Sequence, residues 1–502
     1  MSYRARLKQV QQGNDDSDTL SDLARDALAE GEEERALPLI VAGAHKRADP
    51  LLWQWAGLLN RALDEHIAAL DCFSTAAHLA PGDAKIAHGH AQVAFEAGLE
   101  ATALFDHARA LAPGDPGVVL GLTAARMAAG QSQLAVSELE DLLDQAPLWV
   151  EGHLQLAQLR SLLGQESGIF ASLDRAIAKH PREASLWLAR CQLHLRQEAY
   201  GLLLETASQA EAAGTPVAAV AFYRAVAAGE LGDPSADELL SDDAATANPA
   251  LAIWQIRHLL RRGQAEWALP LIDRELASDR RLAAWPYAAA AWRIAGDARS
   301  HWLEDRPGLV SIMDIKAHLA PIGQLADRLR ALHERSGQYL DQSVRGGSQT
   351  DGPLLSRIEP AIRVLRAAAA GAVERYVAQL PPPDAKHPLM GLPRDRRVRF
   401  SGSWSVRLRA GGRHSNHVHP QGWISSALYI ALPQRQAGEA PDSGWLVLGE
   451  PQAELGVDLP PHWKIQPKVG QLVLFPSWMW HGTRPFAEGE RLTVAFDVAL
   501  PR

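Results

Sequence analysis

The chain has 502 residues, 47% of them apolar and 22% charged, a formal net charge of −9 and two cysteines. That length exceeds one ordinary core, so more than one domain is expected. An acidic balance with no basic run argues against a nucleic-acid backbone as partner, and Cys72 and Cys191, far apart and in no C-x-x-C pattern, argue against a disulfide framework or a thiolate metal site. The opening "MSYRARLKQVQQGNDDSDTL" has no apolar core of a secretory signal. No uninterrupted apolar run of about 18 residues offers a membrane span. A cytoplasmic protein is expected.

Residues 1–35 are polar and acidic ("GNDDSD", "EGEEER") and read as a loosely ordered entry segment with one helix. From 36 to 298 the sequence is rich in Ala and Leu and poor in β-branched residues, which favours helix. Pro50, Pro81, Pro113, Pro147, Pro181, Pro216 and Pro249 are spaced by 31, 32, 34, 34, 35 and 33 residues. A period near 34 is the length of a helix–turn–helix repeat. Other positions keep the same register. Ala69, Ala101 and Ala135 stand twelve residues before a proline, Phe73 and Phe105 eight before, and Gly89 and Gly121 eight after. Small residues let paired helices approach, the Phe fills the groove between them, and the Pro ends the second helix. These positions resemble the tetratricopeptide repeat, best in "PGDAKIAHGHAQVAFEAGLEATALFDHARALAP", with about seven units up to residue 298. Such repeats stack into a superhelix with a concave face, which predicts binding of a protein or peptide, or self-association as a homodimer.

After residue 298 the period is lost. "SIMDIKAHLAPIGQLADRLRALHERS" and "PLLSRIEPAIRVLRAAAAGAVERYVAQL" read as helices, separated by a polar loop at 338–352, and "PPPD" at 381–384 breaks the chain. From about 395 the texture is β: "VRFSGSWSVRL", "WISSALYIAL", "GWLVLG", "GQLVLFP" and "RLTVAFDVAL" are short apolar and aromatic runs set apart by Gly and Pro. They predict an antiparallel sandwich or jelly roll. The expected fold class is multidomain α+β: an N-terminal α-superhelix of repeat helix pairs, then residues 299–502 as a jelly-roll domain with flanking helices.

The chemistry lies in that second part. In "RHSNHVHPQGW", His417 and His419 are two apart and would share one face of a strand, whereas His414 has the opposite parity and would point away. His481 follows an apolar strand in "FPSWMWHGTRPF", and Arg491 opens the last strand ten residues later.

That order, together with "HVHPQGWISSALYI" and "DQSVRGGSQT", resembles the double-stranded β-helix oxygenases that use iron(II), 2-oxoglutarate and O2, and within them a subfamily often joined to tetratricopeptide repeats. The resemblance covers about residues 300–502. It implies His417 as first metal ligand, His481 as distal ligand and Arg491 as anchor of the cosubstrate's far carboxylate, with Ser425, Ser426 and Tyr429 as further donors to it. His419 stands where most of the superfamily has Asp or Glu. Three arrangements follow: His419 is the third ligand; water replaces it beside a two-histidine iron; or an acid such as Asp442 or Glu450 swings in. A three-imidazole site suits zinc as well.

His414 and His462 read as surface or structural, Arg407 as a solvated strand residue, and Trp423, Trp445, Trp478 and Trp480 as core or pocket wall. "SVRGGS" lacks phosphate-loop spacing and is a candidate flap over the site. The resemblance implies a hydroxylase that converts 2-oxoglutarate to succinate and acts on a protein or peptide brought by the repeats. The alternatives are a repeat scaffold keeping a relic metal site, and a small-molecule or glycan oxygenase whose repeats serve dimerisation.

Overall fold

The computed structural model describes residues 2–334 and 343–501. From Tyr3 to Glu304 the described chain is helical, and the helices pair by short turns. Residues 3–30, expected as a loose entry, form two helices, Tyr3–Gln11 and Ser17–Glu30. Their Tyr3, Val10, Leu20 and Leu23 are buried against the helix Glu33–Arg47. The acidic letters that suggested disorder cluster at the turns: Asp16 caps the second helix by accepting from Thr19 N–H, and Glu33 is buried at the start of the third.

Prolines fall where the period placed them, just past a second helix (Pro81, Pro113, Pro181) or at the first position of the next (Pro50). The Gly–Phe pairing is steric. A β-carbon at Gly89 would stand 2.3 Å from the Phe73 ring, and one at Gly121 2.2 Å from Phe105. A second marker runs through the turns inside each pair. Gly31, Asp64, Gly98, Gly130, Gly164, Glu198, Gly232, Gly263 and Gly296 all have positive φ, at intervals of 31 to 34 residues. Each reverses the chain after the first helix of a pair, a geometry that favours glycine; Asp64 and Glu198 are the exceptions.

Among the described residues the C-terminal part holds nine strands: β1 Ser311–Asp314, β2 Val344–Gln349, β3 Phe400–His414, β4 Gly422–Ala431, β5 Leu446–Leu448, β6 Trp463–Ile465, β7 Gln471–Pro476, β8 His481–Thr483 and β9 Arg491–Ala499. They form a six-stranded antiparallel sheet, β1-β7-β4-β9-β3-β2, and a three-stranded sheet, β6-β5-β8. Tyr429, Val473 and Phe475 of the large sheet pack on Leu446, Leu448 and Ile465 of the small one. The other face of the large sheet is covered by the helices Ile322–His333 and Pro360–Gln379. Side-chain alternation sorts the strands accordingly. On β9, Leu492, Val494, Phe496 and Val498 enter the core beneath the helices, whereas Arg491, Thr493, Ala495 and Asp497 face the space between the sheets.

The superhelix holds the β-domain by the edge that carries its turns. Arg399 pairs with Glu33 at 2.7 Å, and Arg397 with Glu65. Ile358 N–H donates to Ala97 O at 3.0 Å, Arg261 Nε donates to Glu454 O at 3.0 Å, and Trp480 Nε1 donates to Pro286 O at 3.0 Å. Trp285, Trp292, Trp423, Trp478 and Trp480 belong to one continuous core, so burial runs unbroken from the last helix pairs into the sheet. Among the described residues no helix is long and apolar enough to cross a membrane.

Candidate metal centre

Strand β3 delivers His414 to the cavity rim, and the chain then leaves the sheet. His417 and His419 lie on a turn, not on a strand. His417 is held by a lone β-bridge to His481: its N–H donates to His481 O at 2.9 Å and its carbonyl accepts from His481 N–H at 3.0 Å. His419 N–H donates to Ser477 O at 2.9 Å. The two sheets thus bring three imidazoles together, with ring centroids 4.2 Å apart for His417–His481, 5.0 Å for His417–His419 and 5.1 Å for His419–His481. One ligand atom from each lies within 4.8 Å of the other two.

Each ring is oriented from behind. His417 Nδ1 lies 2.8 Å from Ser415 O, His481 Nδ1 3.0 Å from Met479 O, and His419 Nδ1 2.5 Å from Asp497 Oδ2. Carbonyl and carboxylate oxygens only accept, so each Nδ1 carries the proton of its contact. Burial and the neighbouring imidazoles hold His417 and His481 well below the usual histidine range. Those two rings are therefore neutral at neutral pH, the form a metal requires.

The carboxylate sought beside His417 is present, but one hydrogen bond behind the ring. Asp497 accepts from His419 and from Ser425 Oγ at 2.6 Å. Asp442 pairs with Lys464 at 2.9 Å and Glu450 with Arg484 at 2.8 Å, so both acids are engaged at the edge of the domain. Asp497 was legible in principle, because Arg491 on the same strand fixes which face looks inward and residue 497 shares its parity.

His414 contradicts the parity expectation. It lines the cavity beside the triad, its ring 5.9 Å from that of His417, and Ser343 Oγ lies 3.2 Å from its Nδ1 and 3.3 Å from His417 Nε2. Parity holds only along one strand, and the chain turns between 414 and 417. Burial and the Arg491 charge lower His414 to about 3.

Arg491 is 2% exposed. Among the described residues no acid pairs with it, and its Nε and Nη1 lack hydrogen-bond partners. Its guanidinium carbon lies 5.2 Å from the centroid of the Tyr429 ring, whose buried hydroxyl interacts with the guanidinium. A buried cation without a counter-charge is costly to keep and is matched by a carboxylate in bidentate geometry. The donor set thus fits a metal at the three histidines and an acidic cosubstrate reaching inward to Arg491.

Ser425 and Ser426 also line the cavity. The first donates to Asp497, and the second donates to Phe496 O at 2.9 Å. Arg407 pairs with Glu490 at 2.6 Å, and His462 Nε2 lies 3.0 Å from Glu304 Oε2. Trp423, Trp478 and Trp480 are buried. Of the polar loop at 338–352, residues 338–342 lie outside the described residues; Val344–Gln349 form edge strand β2 at the rim.

Residues 402–497 match the family model described as "Putative 2OG-Fe(II) oxygenase". No curated protein matches the chain. Among solved structures, a tetratricopeptide repeat protein from Parabacteroides merdae shares 14% identity over 44% of this chain and 89% of its own, with a TM-score of 0.32. A prolyl-4-hydroxylase from Pseudomonas putida shares 18% over 39% and 94%, with a TM-score of 0.26. A prolyl hydroxylase from Trichoplax adhaerens, solved with a hypoxia inducible factor peptide fragment, shares 12% over 41% and 92%, with a TM-score of 0.26. At such scores these likenesses carry neither ligand nor substrate across.

Proposed function

We propose, from the premise that the β-rich end is a member of the 2-oxoglutarate/iron(II) oxygenase family, that this chain is a hydroxylase acting on a protein or peptide. In this reading His417, His419 and His481 are the metal ligands and Arg491 anchors the far carboxylate of 2-oxoglutarate. The observation that carries it is the buried guanidinium of Arg491, which no acid pairs with among the described residues, in the same cavity as three clustered imidazoles.

Iron(II) bound there supplies activation of O2, coupled to conversion of 2-oxoglutarate to succinate and carbon dioxide and to insertion of one oxygen atom into a substrate C–H bond. The chain's own residues prepare the place. Ser415 O, Met479 O and Asp497 each hold a proton at a histidine Nδ1 and so aim Nε2 inward. Asp497 also supplies a negative charge that moderates a site built from imidazoles and an arginine. Ser425 acts through Asp497, while Tyr429 flanks Arg491 with a buried hydroxyl for the same cosubstrate carboxylate. Val406, Trp404 and Phe475 narrow the cavity and limit water.

The missing first-position carboxylate is the motive for a relic site, and Asp497 removes much of it. Cys72 and Cys191 are buried and unpaired, which suits a reducing, cytoplasmic setting. Iron-loaded protein supplied with 2-oxoglutarate and O2 should release succinate, and His481→Ala should abolish it. A protein that retains zinc against iron and forms no succinate contradicts the assignment.

A further inference from the structure

The turn Arg196–Glu198, between the helices Ala184–Arg196 and Tyr200–Ala212, stands across from the mouth of the histidine site. Between them lies a cleft of about 390 Å³ that ends on His417 and His419. The repeat contributes Arg196, Gln197 and Glu198. The β-domain contributes Arg345 and Gln349 from β2, and Glu454 from a loop that Arg261 of the superhelix grips through its backbone carbonyl. The superhelix therefore forms one wall of the approach to the metal centre and fixes another.

We propose, on the reading of the site given above, that this cleft is the substrate site and takes a polar polypeptide segment carrying charged side chains of both signs. Three observations converge on it. The walls are dominated by charged and amide side chains, whereas pockets for small apolar ligands are lined mainly by hydrophobic ones. Cations (Arg196, Arg345) and anions (Glu198, Glu454) both face the space. β2 is the terminal strand of its sheet, and an edge strand offers backbone groups to which an extended chain can add.

Glu198 bears on the repeat's part. Of the nine left-handed positions in the turns inside helix pairs, seven are glycine. Asp64 is one exception, and its carboxylate accepts from Phe400 N–H of the β-domain at 3.4 Å. Glu198 is the other. It keeps a side chain at φ 55, a conformation that disfavours one, and its carboxylate makes no hydrogen bond or ion pair among the described residues. It borders the cleft, where burial and the Glu454 charge raise its carboxyl while the Arg345 and Arg257 charges lower it. A basic side chain of the substrate pairs with that carboxylate.

The test uses the full-length protein loaded with manganese(II) and 2-oxoglutarate, probed with a phage-displayed library of random dodecapeptides. Enriched peptides of mixed charge are expected. Their affinity should fall at least tenfold in Glu198→Lys and less in Glu198→Gly, the residue that other repeats carry, with manganese and 2-oxoglutarate affinities unchanged. Absence of enriched peptides, or peptides that bind all three proteins equally and so dock elsewhere on the superhelix, overturns the proposal. Failure of the wild-type protein to bind manganese or 2-oxoglutarate instead overturns the oxygenase reading on which it rests, and is scored before any peptide is tested.

Discussion

His419 Nδ1 and Asp497 Oδ2 stand 2.5 Å apart, joining the turn after β3 to the C-terminal end of strand β9. The contact fixes the tautomer of His419 and puts a negative charge behind it. Partners of this kind are worth about 10- to 100-fold in metal affinity. Asp497→Asn, which keeps the shape and removes the charge, should weaken iron(II) or manganese(II) binding by about that factor. An unchanged dissociation constant would detach His419 from the metal.

The ligand count follows from three single substitutions. His417→Ala and His481→Ala should each abolish measurable metal binding. If His419 is the third ligand, His419→Ala should cost at least as much as Asp497→Asn. Wild-type affinity in His419→Ala, measured by anaerobic metal titration, would favour an iron held by two histidines and water.

Arg491 ties binding to stability with opposite signs. Arg491→Met removes the carboxylate partner and should weaken 2-oxoglutarate binding by about 2–5 kcal/mol, with metal retained. It also removes a buried charge that no acid compensates among the described residues. The unliganded variant should therefore be more stable than wild type by about 1–4 kcal/mol, read from denaturant midpoints. A destabilised variant would mean that the guanidinium has a partner within the protein.

Three buried histidines away from the centre set an acid limit. Burial lowers His194, His333 and His387 to about 4 each. An unfolded histidine titrates near about 6.5. Between roughly 6.5 and 4 the unfolded chain binds protons that the folded chain refuses, so stability rises with pH across that window. Each histidine contributes at most about 1.4 kcal/mol per pH unit there. The urea midpoint should fall steadily from pH 7 to pH 5; a flat profile would show these rings charged in the fold.

Much of this was written in the sequence at the level of period and order. The proline spacing located the helix pairs because proline marks the end of a second helix whatever surrounds it. The turn glycines repeat just as regularly and mark the other end of each pair. His417, His481 and Arg491 were singled out from their order along the chain, and the structure brings their side chains to one cavity. His414 was misplaced because strand parity was carried through a turn, where it has no meaning. Asp497 was overlooked although parity on β9, a true strand, would have set it on the same face as Arg491. The grip of Glu33, Glu65 and Ala97 on Arg399, Arg397 and Ile358 joins residues more than 250 positions apart, and no local pattern carries such pairings.

The central claim is that three histidines and Arg491 hold a metal and 2-oxoglutarate in one cavity. The direct measurement is an anaerobic titration of the iron(II)-loaded protein with 2-oxoglutarate, followed by visible absorption. A charge-transfer band should grow to saturation at one equivalent, require much higher 2-oxoglutarate in Arg491→Met, and be missing in His481→Ala. A wild-type protein that binds iron(II) and shows no such band at saturating 2-oxoglutarate would contradict it.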